Sequence, residues 1–230
     1  MVKKDLIMRH PFGLQGGETD IIAAGEFGAV LSRAGVGKTA LLVQLALNAM
    51  LRDKNVLHIS MHDPVDKVTL WYKELFHHLT QRDDKSHGGI LLESLLPHRF
   101  IMTFKIDGFS VPKLKERLTD LVAQDIFHPH MVIIDGLTFD ESIRECLADL
   151  KVLAAEQSLQ VWFSVHTHRH EDTPAGEFPP SLRSVHDLFD VALKLQPEGT
   201  DIRLQPLKGP EQVVSSLSKL ALDASSMLIK

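Results

Sequence analysis

The stretch Gly28-Ala29-Val30-Leu31-Ser32-Arg33-Ala34-Gly35-Val36-Gly37-Lys38-Thr39 decides how the rest of the chain is read. Gly28 to Ser32 is an apolar run of strand length. From about Gly37 to Arg52, Leu41, Leu42, Leu45, Ala46 and Ala49 recur with the period of a helix buried along one face. Between the two lies a turn with glycines at 35 and 37. Strand, glycine-rich turn and helix in this order aim backbone N–H groups outward at a helix N-terminus, where the helix dipole adds partial positive charge. Glycine lets the backbone take positive φ and approach a ligand closely. Lys38 supplies a compact cation and Thr39 a hydroxyl. A triphosphate with a divalent ion needs those groups: the residues Arg33, Ala34, Gly35, Val36, Gly37, Lys38, Thr39 and Ala40 would cradle it, and Thr39 would join the Mg²⁺ shell.

Working outward, apolar runs alternate with helical patterns, which predicts a parallel sheet covered by helices on both faces. Strands are expected at Asn55 to Ser60, near Arg99 to Phe104, at Met131 to Asp135 and at Gln160 to His166. Helices are expected from Asp63-Pro64 through Trp71, Leu75 and Leu79, from about Val111 to Gln124, and from about Glu141 to Gln157, the first opened by proline at a favoured position. Asp83 to Gly89 reads as a polar surface loop. Thr167 to Arg183, with three prolines and a glycine, reads as a long loop of the functional or mobile kind. Two further strands, near Leu188 to Leu195 and Asp201 to Leu207, form a hairpin around Pro197-Glu198-Gly199-Thr200. Leu217 to Lys230 shows no clear pattern.

Met131-Val132-Ile133-Ile134 ends at Asp135-Gly136. An acidic residue at the carboxyl end of a buried parallel strand faces the crevice where ligands bind in such sheets, so Asp135 is the second candidate Mg²⁺ residue, through a water. The plain alternatives are an aspartate opening a turn and a chance Gly-Lys-Thr in an ordinary strand-turn-helix. The phosphate-loop signature usually begins with glycine, and Ser32 stands there.

The chain has 230 residues, 44% of them hydrophobic, enough for one sizeable core and a single domain over residues 1–230. Lys and Arg number 25 against 30 Asp and Glu, a formal charge of −5, so no global field draws in nucleic acid or an anionic membrane. The single cysteine, Cys146, builds no disulfide framework and sits among Ile143, Leu147 and Leu150 as a small hydrophobe. No stretch reaches the roughly 18 apolar residues of a membrane span, and the N-terminal residues lack a signal-peptide core. The expectation is a cytoplasmic protein.

With these motifs the sequence resembles the RecA-like ATPases, KaiC-like and RepA-like proteins in particular. The resemblance covers about Pro11 to Gly209 and rests on GEFGAVLSRAGVGKTALLVQLALNAM, NVLHISMHDPVDKV, MVIIDG and QVWFSVHTHRH. It implies a three-layer P-loop NTPase fold with a mainly parallel sheet and a C-terminal antiparallel hairpin. It also implies ATP and Mg²⁺ as ligands, and a homo-oligomer, up to a hexameric ring, with the ATP site between subunits. Four residues take catalytic places by the resemblance. A glutamate pair expected after the second strand is replaced by Met61 and His62, which leaves His62 or the adjacent Asp63 as the group near the attacking water; Asp63 reads equally as the N-cap of the Pro64 helix. His166, with Ser164 as second candidate, takes the place of a γ-phosphate sensor. Lys208 keeps the lysine of a finger whose arginine is replaced by Pro210, and it reads equally as a solvated turn residue. The spacing of His166, His168 and His170 puts them on one strand face, as a metal would need, but no cysteine or carboxylate spacing supports one.

Three functions follow: a slow Mg²⁺-dependent ATPase with a regulatory or signalling role and a protein partner of unspecified kind; a nucleotide-binding switch without hydrolysis, suggested by Met61, His62 and Pro210; and a DNA recombination or helicase ATPase. In the 167–183 loop Arg169 and Arg183 are offset by Glu171, Asp172 and Glu177, which, with the net charge, disfavours the last.

Overall fold

The computed structural model describes residues 2–9, 20–80, 85–105, 108–140, 142–167 and 177–230. Its strands are β1 (Phe27–Ser32), β2 (Val56–Ser60), β3 (Arg99–Thr103), β4 (Met131–Asp135), β5 (Gln160–His166), β6 (Val191–Glu198), β7 (Asp201–Lys208) and β8 (Ala221–Asp223). Its helices are α1 (Val2–Arg9), α2 (Lys38–Leu51), α3 (Val65–Thr80), α4 (Lys85–Leu95), α5 (Val111–Ala123), α6 (Ile143–Glu156), α7 (Pro180–Arg183) and α8 (Glu211–Leu217). The strands form one sheet in the order β3-β2-β4-β5-β1-β6-β7-β8. Strands β1 to β6 pair in parallel, and β7 and β8 run antiparallel at one edge.

The central strands are apolar throughout because both of their faces are covered. On one face Val30, Ile133 and Trp162 meet α2 and the Val68, Tyr72, Leu75 and Phe76 side of α3. On the other, Ala29, Leu31, Val132, Ile134 and Phe163 meet Leu114 and Leu118 of α5 and Leu147 and Leu150 of α6. Helix α2 lies at the centre of its layer, and from Ala40 to Leu51 every residue is buried. Gly28 sits opposite Trp162 in the register. A Cβ on Gly28 would run into the Trp162 ring, so the close approach of that ring requires a glycine.

Several expected elements shift. Asp83 to Gly89 is not a loop as a whole: Lys85–Leu95 is helix α4, and only 81–84 lie outside the described residues. Gly88 is there for packing, since a Cβ on it would meet the Thr80 hydroxyl at the end of α3 at 3.2 Å. The β6–β7 hairpin is tighter than expected, with Glu198 already paired to Asp201 around Gly199 (φ 63°) and Thr200. Of the 167–183 loop, 168–176 lie outside the described residues, and it ends in the single turn α7. The region after Leu217 forms β8 and a short segment returning along it. Cys146 is half-buried, and burial, with Asp149 nearby, raises its thiol pKa.

One polar group lies deep in this core. His58 on β2 is fully buried, with Nδ1 3.1 Å from the Tyr72 hydroxyl on α3, and its Nε2 has no partner. The Arg99 guanidinium caps the Tyr72 ring, 4.7 Å from its centroid. Burial pushes the imidazole down to about 4 from its ordinary 6.5, against the attraction of Asp135, and pushes the Tyr72 phenol up. Above pH 6.5 the group is neutral whether folded or not. As pH falls toward 4, the unfolded chain takes up a proton that the folded chain refuses, so stability falls. Urea denaturation should show a loss of up to roughly 3 kcal/mol over that window. His58→Gln should flatten this part of the pH profile, and an unchanged slope in that variant would contradict the assignment.

Candidate functional site

Strand β1 delivers Ser32 to the carboxyl edge of the sheet, where the chain turns through 33–37 into α2. Gly35 and Gly37 take positive φ, 76° and 116°, the left-handed region in which a side chain would be strained. The helix ladder starts where Leu41 N donates to Gly37 O at 2.9 Å. Arg33, Ala34 and Gly35 are exposed, Val36 to Thr39 half-buried and Ala40 buried. The first turn of α2 carries no acidic residue, so nothing within the helix offsets its N-terminal partial charge. Ser32 fits in place of the usual glycine: it lies in extended strand opposite His166, and its Oγ donates to Arg33 O at 2.9 Å.

Lys38 folds back over this turn. Its Nζ donates to Ser32 O and Arg33 O, each at 3.0 Å. Burial lowers its pKa, while Asp135 favours its charged form. Thr39 Oγ1 donates to Asp135 Oδ2 at 2.7 Å. Asp135 closes β4, and β5 lies between β4 and β1 in the sheet, so this bond bridges over the end of β5. Gly136 follows in positive φ, 92°, and its N–H donates to Ser164 Oγ at 2.8 Å. The His62 ring packs on Gly136, where a Cβ would lie 2.5 Å from His62 Cδ2.

A cleft of about 450 Å³ opens here, lined by Ala34, Lys38, His62, Asp135, Gly136, Leu137, Thr138, Phe139, Ser164, His166 and Ser181. It brings together Lys38, Asp135, His62, Ser164 and His166, all of them residues singled out from the sequence. Met61 is buried in the core and offers the cleft nothing. Asp63 does not line the cleft. Its carboxylate accepts from Lys67 Nζ at 2.9 Å, and its backbone N–H is held by Ser60 Oγ at 2.9 Å. Lys208 ends β7 away from the cleft and donates to His186 O at 3.1 Å. His168 and His170 lie outside the described residues. Sequence reasoning does not reach the glycine seat for His62, nor the wall formed by Thr138, Phe139 and Ser181. Gly136 reads there only as part of a turn, and Ser181 arrives at the cleft by tertiary folding alone.

The donor set suits a magnesium triphosphate. It offers a cation, outward amides, a hydroxyl and a carboxylate joined by one hydrogen bond, and a turn whose Gly35 has no heavy atom within 4 Å of where a Cβ would be. A search of known proteins returned no matching family model and no matching curated sequence. Among solved structures the chain is similar to the ATPase domain of a RecA-like helicase. That match has a TM-score of 0.59 and 18% identity, and it covers 83% of this chain and 79% of that one. The fold is RecA-like. The RecA-like sheet explains why residues from β1, β4 and β5 and from the turn after β2 meet at one edge, since ligands in parallel sheets sit outside the carboxyl ends of the strands. Among the described residues no helix is long and apolar enough to cross a membrane.

Gly136→Ala adds a methyl group against His62 in a backbone conformation that disfavours it, and should cost roughly 1–3 kcal/mol of stability. His62→Ala on the same chain should recover part of that loss. Simple additivity of the two substitutions in urea melts would show that His62 does not rest on Gly136.

Proposed function

We propose that this protein binds ATP with Mg²⁺ on the Arg33–Ala40 turn and hydrolyses it slowly, in a regulatory or signalling role of the KaiC kind. The observation that carries the reading is the 2.7 Å bond from Thr39 to Asp135, with the Lys38 ammonium held beside it. Thr39 and Asp135 would hold the ion, Asp135 through a water; the ion, when bound, neutralises charge on the β- and γ-oxygens. Lys38 would sit on the same oxygens, and the amides from Arg33 to Ala40 would hold the chain of phosphates. The similarity to a solved ATPase domain supports the same reading.

Slow turnover follows from what lines the cleft. Among its described residues Asp135 is the single carboxylate, and it is committed to Thr39. His62 is the remaining group placed to accept a proton from water, and His166 and Ser164 stand where a γ-phosphate would be sensed. Lys208 would act only across a subunit boundary in a homo-oligomer, after leaving His186 O, and Pro210 supplies no arginine beside it. The same commitment of Asp135 favours a second reading, a switch that binds ATP without turnover.

Lys38→Ala should weaken ATP–Mg²⁺ binding by roughly ten- to a hundredfold in a calorimetric titration, the range for one charged hydrogen-bonding group. Phosphate release by the unmodified chain should run well below the ~10 s⁻¹ of a typical enzyme and stop with Asp135→Ala. Unchanged affinity in Lys38→Ala would refute the site, and no release at all would leave the switch reading in its place.

A further inference from the structure

Helix α2 is apolar around nearly its whole surface, as suits a helix buried on all sides, yet Gln44 lies in it with 1% exposure. A buried amide has to find partners, and Gln44 finds most of them far away in the sequence. Its Nε2 donates to Met227 O at 2.7 Å and to Ala40 O at 3.2 Å, and its Oε1 accepts from Ile229 N at 2.9 Å. One amide nitrogen thus joins the segment after β8 to the first turn of the phosphate helix.

That segment is a built object. Beyond β8 the chain folds back on itself: Asp223 N donates to Leu228 O, and Ala221 and Lys230 exchange two backbone bonds. Asp223 Oδ1 accepts the N–H groups of Ser225 and Ser226, both at 3.0 Å, and Met227 sits in the left-handed region, φ 57°. His78 on α3 grips the same turn, with Nδ1 3.0 Å from Ser226 O. The apolar side of the segment meets the phosphate loop. A Cβ on Gly37 would stand 3.4 Å from Met227 Sδ and 3.5 Å from Leu222 Cδ1. The segment therefore touches the joint between loop and helix from two directions, through Gly37 and through Ala40.

We propose that residues 221–230 form a latch, held by Gln44, whose seating sets the affinity of the phosphate loop, with Gln44 as a positioning residue. This rests on the loop being the nucleotide site. With the latch seated, the first turn of α2 is fixed by a bond additional to its own helix ladder, so its amides are already ordered when phosphate arrives. With the latch released, Gln44 loses two partners in an apolar layer and the joint at Gly37 loses its apolar support. Whatever binds or covers residues 224–230 would then act on the nucleotide site from outside the cleft, and by reciprocity nucleotide would tighten the latch.

The test measures ATP–Mg²⁺ affinity and amide hydrogen exchange on the whole chain, on Gln44→Met and on His78→Ala. Gln44→Met should bind on the order of tenfold more weakly, the effect of losing two neutral hydrogen bonds, and His78→Ala should bind more weakly by a smaller factor. In the unmodified chain, ATP–Mg²⁺ should slow exchange of the Ile229 amide, a response that should vanish in Lys38→Ala and that mere structural support by Gln44 would not produce. Unchanged affinity in both variants, with Ile229 exchange indifferent to nucleotide, would overturn the latch. Should the unmodified chain bind no ATP, the nucleotide reading fails, and exchange without ligand decides the latch: faster exchange of the amides from Gly37 to Leu41 in Gln44→Met upholds it, equal rates reject it. If Gln44→Met does not fold, His78→Ala carries the same comparison.

Discussion

The hydrogen bond from Thr39 to Asp135 ties the first turn of α2 to the end of β4, passing over the end of the intervening strand. It forms only if β1, β5 and β4 are parallel, in register and level at their carboxyl ends. The register provides this: Ser32 lies beside His166, and Ile134 beside Phe163. Parallel strands need crossover helices, and those helices bury both faces of the sheet. The apolar strands, the buried α2 and the glycine under Trp162 are all conditions for two oxygens to meet at 2.7 Å.

Around that bond the polar groups hold one another in sequence. Asp135 steadies the charge on Lys38, Gly136 turns its N–H to Ser164, and the absence of a side chain on Gly136 gives His62 its seat. A histidine resting on backbone where related folds place a glutamate makes a site better suited to holding a triphosphate than to cleaving it quickly. The cleft reads as a binding device with weak chemistry, and the latch behind α2 gives that device a second face through which to be controlled.

Much of this is legible in the sequence because it is local. The turn from Ser32 to Thr39, the apolar strand ending at Asp135 and the period of α2 each sit within about 15 residues, where residue type and spacing carry the physics directly. His166 and Ser164 are legible for the same reason, at the end of an apolar strand. What escapes depends on distant partners. Gly88 and Gly89 suggest a loop, since glycine punctuates chains, but Gly88 packs on Thr80 within a helix. Gln44 gives no sign of its role, because its partners lie at Met227 and Ile229. His58 gives no warning of burial, because a strand pattern does not show which polar side chain has a tyrosine waiting on the helix above it. Asp63, read as near the chemistry, turns instead to Lys67, one helical turn away, as a carboxylate at a helix start tends to do.

The most direct measurement replaces magnesium with paramagnetic manganese in its complex with ATP and follows backbone amide resonances of the whole chain. If Thr39 and Asp135 hold the ion, broadening should centre on residues 35–40 and 135–136 and spread to 164–166, leaving the β7–β8 edge of the sheet sharp. Broadening centred elsewhere, or none at concentrations that saturate ordinary nucleotide sites, would show that this edge of the sheet is not where the triphosphate and its ion reside.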